Sequence, residues 1–239
     1  MRHALVVPIL AVALLCAASA QGQTGRELTG KDGASMVLVP AGEFLYGDNK
    51  QRMSLPAFYI DKYEVTTRLY AAFLQSSVRW QPDKWSKQLE LVGSGNRPVV
   101  KVSWPHADAY CRHYGKRLPT EQEWEKAAKG TDGRTYPWGN ETPTSRHALF
   151  GTSWNGFATL AVVGSHDAGA SPYGVHDMAG NVWEWTSSGY DKFNKVYRGG
   201  SWWSSFSESS DTLRSSFRGG MCSKCRTNDV GFRCAQDAR

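Results

Sequence analysis

The half of the chain after Thr131 decides what this sequence can fold into, because it holds no long run of apolar residues at helical spacing. Its regular structure reads as brief strands, such as Val182 to Trp185 and Tyr197-Arg198, joined by long loops. So long a stretch of loop argues against a packed domain unless something else holds it down. Six of the chain's ten Trp and four of its ten Tyr lie in this half, set among 14 of its 24 Gly, and supply that something. Large rings pack loops onto a core and glycines let them turn. A helical bundle is excluded on the same grounds.

The first half carries more period. Met36 to Val39 and Glu43 to Tyr46 read as strands around a turn at Ala41-Gly42, which predicts a hairpin. Ala57 to Ile60 and Val99 to Val102 read as further short strands. Thr66 or Thr67 caps a helix with Leu69, Tyr70, Phe73 and Leu74 on one face. Trp80 to Asn96 lacks a period and reads as an irregular insertion. Ser103 and Pro105 open a second helix with Ala107, Tyr110, Cys111 and Tyr114, stopped by Gly115. Thr120 with Glu123 forms a capping box for a third helix. Trp124, Ala127 and Ala128 are its buried face, and Gly130 ends it.

Arg2 and His3 precede the uncharged apolar run Ala4 to Ala17, and Ala18-Ser19-Ala20 then places small residues before Gln21. That order is a secretory signal peptide, with an apolar run too short for a membrane span. Residues 1–20 are therefore read as a signal peptide, 21–35 as a flexible polar arm and 36–239 as one domain, secreted or periplasmic. Cys16 leaves with the signal. The remaining Cys111, Cys222, Cys225 and Cys234 are an even set in an exported chain, which favours disulfides and leaves three pairings open. Cys222 and Cys225 form a C-x-x-C. Zinc would need two further ligands, and no second Cys pair or His pair is present. A local disulfide is the favoured reading there, against an exchange-active pair. The net charge of +6 is scattered rather than striped, which argues against nucleic acid as a partner.

Several phrases then occur in one order. They are Met36-Val-Leu-Val-Pro-Ala-Gly42, Phe58-Tyr-Ile-Asp-Lys-Tyr-Glu-Val-Thr66, Arg97-Pro-Val-Val100, Ala109-Tyr-Cys111, Lys116-Arg-Leu-Pro-Thr-Glu121 and Tyr136-Pro-Trp-Gly139. Asp177-Met-Ala-Gly-Asn-Val-Trp-Glu-Trp185, Arg198-Gly-Gly-Ser-Trp202 and Gly231-Phe-Arg-Cys234 follow. Together they resemble the formylglycine-generating enzyme, or sulfatase-modifying factor, family over almost all of Met36 to Ala235. The resemblance implies an α+β fold, a compact C-type-lectin-like variant with low regular secondary structure. It implies one calcium, held by side chains at Asp177 and Glu184 and by the carbonyls of Gly180 and Val182. A second family calcium site falls on Ala148, Leu149, Asn155 and Phe157. Ala148 lacks a side-chain oxygen and Asn155 is neutral, so that site is expected to be weak or empty. The resemblance also implies a Cys111–Cys234 disulfide.

Active members of the family use two cysteines after the Gly-Gly-Ser phrase to bind copper(I) and oxidise a substrate cysteine to formylglycine. Here those positions are Ser204 and Ser209. A hydroxyl is a hard donor where copper(I) takes soft thiolates, so copper is not expected. Two functional readings follow. The first is a non-oxidase domain that binds a peptide, protein or glycan in a groove lined by Trp202, Trp203, Phe206 and Arg214. The alternative for these tryptophans is a place in the core. The second is an oxidoreductase or protein-maturation enzyme that works without the copper cysteines and leaves Cys222 and Cys225 as its sulfur.

Overall fold

The computed structural model describes residues 26–77, 95–156, 158–204 and 210–238. The expected signal peptide, nearly all of the irregular insertion, and Phe157, Phe206 and Ser209 lie outside these described residues.

Strands β1 (Glu27–Thr29), β2 (Ser35–Val39), β3 (Gly42–Tyr46), β4 (Gln51–Leu55) and β5 (Phe58–Asp61) open the chain. Helices α1 (Thr67–Ser76), α2 (Trp104–His113) and α3 (Glu121–Lys129) follow. Strands β6 (Trp183–Gly189), β7 (Asn194–Arg198), β8 (Gly219–Cys222), β9 (Val230–Phe232) and β10 (Ala235–Asp237) complete the order. One sheet runs β1-β2-β5-β10 and another β8-β7-β6-β9, while β3 and β4 pair alone. The architecture is α+β with short elements and long loops.

The expected hairpin between β2 and β3 does not form. β2 lies between β1 and β5, with Met36 opposite Asp61 and Val39 opposite Phe58. β3 pairs with β4 instead, Phe44 opposite Met53, through a turn closed by the Lys50 N–H on the Gly47 carbonyl at 3.3 Å. Pro40 has no N–H with which to extend a ladder. Lys126 on α3 draws the connection away by donating to the carbonyls of Pro40 at 2.6 Å and Gly42 at 2.9 Å.

Two further expectations are corrected. Val99, Val100 and Val102 are buried but form no strand: Lys101 takes φ 60°, which breaks the extended run, and the backbone bonds go to separate segments, the Val99 N–H to the Val65 carbonyl and the Lys101 N–H to the Thr227 carbonyl, beside one isolated bridge from Thr66 to Pro98. Residues 26–35 are not an arm. β1 pairs with β2, and Asp32 is buried against Lys116, whose ammonium donates to both Asp32 oxygens at 2.7 and 2.8 Å and to Asp61 at 2.8 Å. The Tyr110 hydroxyl adds a bond to Asp32 at 2.9 Å. A charge pair of this kind has no apolar period, so hydrophobic patterning passes over it.

The helices begin where side chains can cap them. Thr66 Oγ1 accepts from the Leu69 N–H, and Tyr70, Phe73 and Leu74 turn inward. Tyr70 and Tyr110 stack at 5.8 Å, with Phe232 edge-on to Tyr110 at 5.3 Å. Cys111 on α2 is joined to Cys234 next to β10, both fully buried. Closing a separation of 123 residues is worth about 4–5 kcal/mol by loop entropy. The Cys222–Cys225 bond spans three positions and contributes about 2 kcal/mol on the same relation.

α3 has the expected capping box and its Gly130 stop. Its polar side is covered too: Glu121, Glu123, Glu125, Lys126 and Lys129 are buried beside Trp124, Ala127 and Ala128. Each buried charge therefore has a partner. Glu125 pairs with Lys129 at 2.6 Å, with the buried Arg198 and with the Gly47 N–H. Glu123 takes Arg117 at 2.6 Å, and Glu121 takes Arg218 at 2.8 Å.

The buried lysine gives a stability test. Lys116→Met leaves Asp32 and Asp61 facing each other with no cation, and urea unfolding is expected to show a loss of about 3–5 kcal/mol. Burial already pushes the Asp61 carboxyl up to about 6 with Lys116 in place. Arg52→Ala removes an ion pair whose side chains are 80% and 65% exposed, and should leave the urea midpoint within experimental error.

Candidate functional site

The segment that follows β7 is held between α3 and the turn at Ser210–Leu213. Gly200 takes φ 75°, a left-handed conformation that favours glycine, and a Cβ there would also sit 2.7 Å from the Leu213 side chain. Beyond it the chain folds into a tight turn. The Ser201 N–H donates to Ser204 Oγ at 3.1 Å, and the Thr212 hydroxyl donates to the same oxygen at 2.9 Å. The Ser204 carbonyl accepts the Gly151 N–H at 2.5 Å. Ser204 is buried, and its hydroxyl is a structural acceptor that ties residues 201–204 to Thr212.

The turn sends two neighbouring tryptophans in opposite directions. Trp202 is packed with Val100, Leu160 and Val182, its ring 5.4 Å from that of Trp154, and its indole N–H donates to the Asn228 carbonyl. It is a core residue, which corrects its assignment to a binding groove. Trp203 is 70% exposed. Arg214, two residues beyond Thr212, is half-buried and pairs with Asp48 at 3.2 Å. The Ser204–Thr212 bond thus holds the segments carrying Trp203 and Arg214 together.

The loop from Asp177 to Glu184 is the second place where site residues gather. Asp177 takes φ 56° and Asn181 φ 58°, and a Cβ on Gly180 would meet the Leu149 carbonyl at 2.4 Å. Asp177 Oδ2 accepts the Gly164 N–H at 2.6 Å. Glu184 has no solvent contact. Arg233 binds it in two-pronged fashion at 2.7 Å on each oxygen, and the Trp124 indole donates to it at 2.8 Å. Asn181 fastens the loop by donating to Glu64 Oε1 at 3.0 Å and to the Leu149 carbonyl at 2.8 Å.

Glu64 was not singled out from the sequence. It is fully buried, and its Oε2 has no partner. Burial, then the charges of Asp177 and Glu184, hold its carboxyl well above the usual carboxylate range, with Arg233 opposing them. Its one signal in the sequence is an acid between Tyr63 and Val65, just after β5. Glu64, Asp177 and Glu184 bring three carboxylates to one guanidinium. Among the described residues no three His, Cys, Asp or Glu side chains group closely enough to hold a metal by themselves, so a cation here would need backbone carbonyls as well.

Residues of the weaker calcium set are spread differently. The Leu149 carbonyl takes the Asn181 N–H, Ala148 is buried, and Asn155 is exposed with its own N–H on Thr159 Oγ1 at 2.6 Å. Cys222 and Cys225 are half-buried at the end of β8 and bonded to each other. No described helix is long and apolar enough to cross a membrane.

The family model of the sulfatase-modifying factor enzyme 1-like domain matches residues 22–238. A Bos taurus protein named inactive C-alpha-formylglycine-generating enzyme 2 is 39% identical over 185 residues, covering 69% of this chain. The match spans 61% of the bovine protein's length. The Mus musculus protein of the same name is 31% identical over 266 residues, covering 85% of this chain and 86% of that one. Among solved structures, PvdO from Pseudomonas aeruginosa has the same fold, with a TM-score of 0.70 at 22% identity over 90% of this chain and 99% of that one.

The two tryptophans should separate cleanly on mutation. Trp202→Ala is expected to cost about 3–5 kcal/mol in chemical denaturation, because it empties a core position. Trp203→Ala should stay within about 0.5 kcal/mol of the parent.

Proposed function

The chain belongs to the sulfatase-modifying factor enzyme 1-like family, and we propose that it is a non-oxidase member, an exported domain that binds a peptide, protein or glycan. The observation that carries this reading is the state of Ser204. Its oxygen is buried and accepts from the Ser201 N–H and the Thr212 hydroxyl. At a position where the family's oxidases need a soft thiolate, the chain has a hard oxygen committed to holding a turn. The names of the bovine and mouse relatives, both called inactive, point the same way. Export rests on the Arg2 to Ala20 pattern.

Trp203 and Arg214 supply the contact surface in this reading. A rigid exposed ring buries much area for little side-chain entropy, and a planar guanidinium offers a fixed fork of donors, so both are effective anchors. The turn between Ser201 and Ser204 fixes where the ring points, and Asp48 steadies the guanidinium.

Calcium is the second part of the proposal. Asp177 and Glu184, with the carbonyls of Gly180 and Val182, would hold one ion. The unpartnered Oε2 of Glu64 and the excess of carboxylates over guanidinium support the fit, since a buried surplus of negative charge needs a proton or a cation. Glu184 would share its charge between the ion and Arg233. Calcium would supply structure here by pinning the Asp177–Glu184 loop.

Copper(I) titration, followed by oxygen uptake with a cysteine-containing peptide, tests the first part. No tight cuprous site and no uptake above the buffer blank are expected, whereas turnover would replace the proposal with the enzyme reading. Thermal melts test the second. At a hundredfold excess over its Kd, calcium should raise Tm by about 5–10 °C, an effect that a chelator reverses. Because the Glu64 carboxyl is held above its usual range, calcium should displace its proton. Affinity should therefore increase as pH rises, and Glu64→Gln should flatten that dependence. A melt unmoved by calcium would remove this part.

A further inference from the structure

The two disulfides of the chain are built for different duties. Cys111–Cys234 has no solvent contact and lies inside the main core beneath α2. Cys222–Cys225 lies where β8, the last strand of its sheet, runs into a turn, and both its cysteines are partly exposed. It closes so short a loop that opening it frees little chain and costs less than about half of what Cys111–Cys234 is worth. A disulfide that solvent can reach and the fold can spare is the kind that exchanges.

The surroundings favour exchange. The Ser223 carbonyl, between the two cysteines, accepts the N–H of Trp104, the first residue of the ten-residue helix α2. The positive end of that helix therefore adjoins the disulfide, where it favours a thiolate. Lys224 and Arg226 are exposed on the same turn, and Lys195 lies on the Trp104 ring at 4.2 Å. Cys222 pairs across the sheet with Asn194, and the preceding Phe193 is 75% exposed; Tyr190, at the same turn, is 46% exposed. Of the acids in these segments, Glu121 is ion-paired with Arg218, while Asp191, which accepts the N–H groups of Phe193 and Asn194, and Asp229 offset part of the charge of Lys192, Lys195, Lys224 and Arg226. The result is a positively charged, aromatic rim around a reachable sulfur pair.

We propose that Cys222–Cys225 is a thiol–disulfide exchange site for an acidic peptide segment carrying two cysteines. A peptide thiolate attacks one protein sulfur, the Cys222–Cys225 bond breaks, and a mixed disulfide forms. The displaced protein thiolate takes a proton. The second peptide thiolate then attacks the peptide sulfur of the mixed disulfide, closing the peptide disulfide and releasing the second protein thiol. The peptide loses two electrons and two protons, and the protein pair gains them. A low-molecular-weight disulfide such as oxidised glutathione restores the site. The phenyl and phenol rings of Phe193 and Tyr190 receive the apolar part of the peptide, and Lys224 and Arg226 attract its acids.

The test uses the folded full chain with two synthetic dithiol peptides, one acidic and one basic. Reactions are stopped by alkylation, and each cysteine is read by mass spectrometry alongside circular dichroism. Expected are stoichiometric conversion of Cys222–Cys225 to the dithiol and of the peptide to its disulfide, with Cys111–Cys234 intact and the spectrum unchanged. The acidic peptide should react about tenfold faster than the basic one at low salt, and the difference should shrink as salt rises. The double variant Lys224→Glu, Arg226→Glu should reverse that preference while its mass still shows both disulfides. A Cys222–Cys225 bond that stays oxidised in the folded protein, one that opens only as the spectrum collapses, or equal rates for the two peptides would each overturn the proposal.

Discussion

Arg233 donates to five acceptors from a position without solvent contact. Two are the oxygens of Glu184, and three are the carbonyls of Asp61, Lys62 and His176. Every N–H of the guanidinium is used. These acceptors belong to the end of β5, the start of the 176–184 loop and β6, and the Trp124 indole ties α3 to the same carboxylate. A fold with short strands leaves many loop carbonyls that no ladder can satisfy, and each must find a donor if it is to be buried. Arg233 is that donor for three of them. Its worth lies less in Coulomb energy, which desolvation largely offsets, than in fixing one arrangement of loops among many.

The same logic accounts for α3. An amphipathic helix in a layered protein turns its polar side to water. Here that side faces the β3–β4 hairpin and β7, and Glu125 holds Arg198 and the Gly47 N–H while Lys126 holds the carbonyls of Pro40 and Gly42. The boundaries of α3 were legible in Thr120, Glu123 and Gly130, because capping is local chemistry. The fate of several of its charges was not, because the partners of Glu125 and Lys126 at Arg198, Gly47 and Pro40 lie 73, 78 and 86 positions away in the chain and leave no period. Asp32 is the same case: in sequence it sits in a polar stretch that reads as an arm, and in space it is half of a buried ion cluster.

Site residues divide along the same line. The order of the phrases identified the family, and the resemblance implies a cysteine of its oxidases at the place of Ser204, which is information carried by position alone. Whether that hydroxyl would face a groove or close a turn depended on Thr212 and Ser201, and composition says nothing about it. Trp202 and Trp203 are chemically identical neighbours, so no propensity separates them; the turn that Ser204 closes does. A single acid such as Glu64 in a strand-like run has no spacing to betray it, and only the burial of its Oε2 without a partner reveals it.

Ser204 has a structural role of its own. Its small oxygen accepts from a backbone N–H and a neighbouring hydroxyl at about 3 Å, distances a larger sulfur with weaker acceptor character would not satisfy equally. A copper-binding pair needs a sulfur held clear of such bonds and open to a partner thiolate. The turn at residues 201–204 is organised the other way: its hydroxyl is spent inside, and the adjacent ring of Trp203 is what reaches the solvent. The geometry that commits the Ser204 hydroxyl to closing the turn is the same geometry that presents the Trp203 ring at the surface.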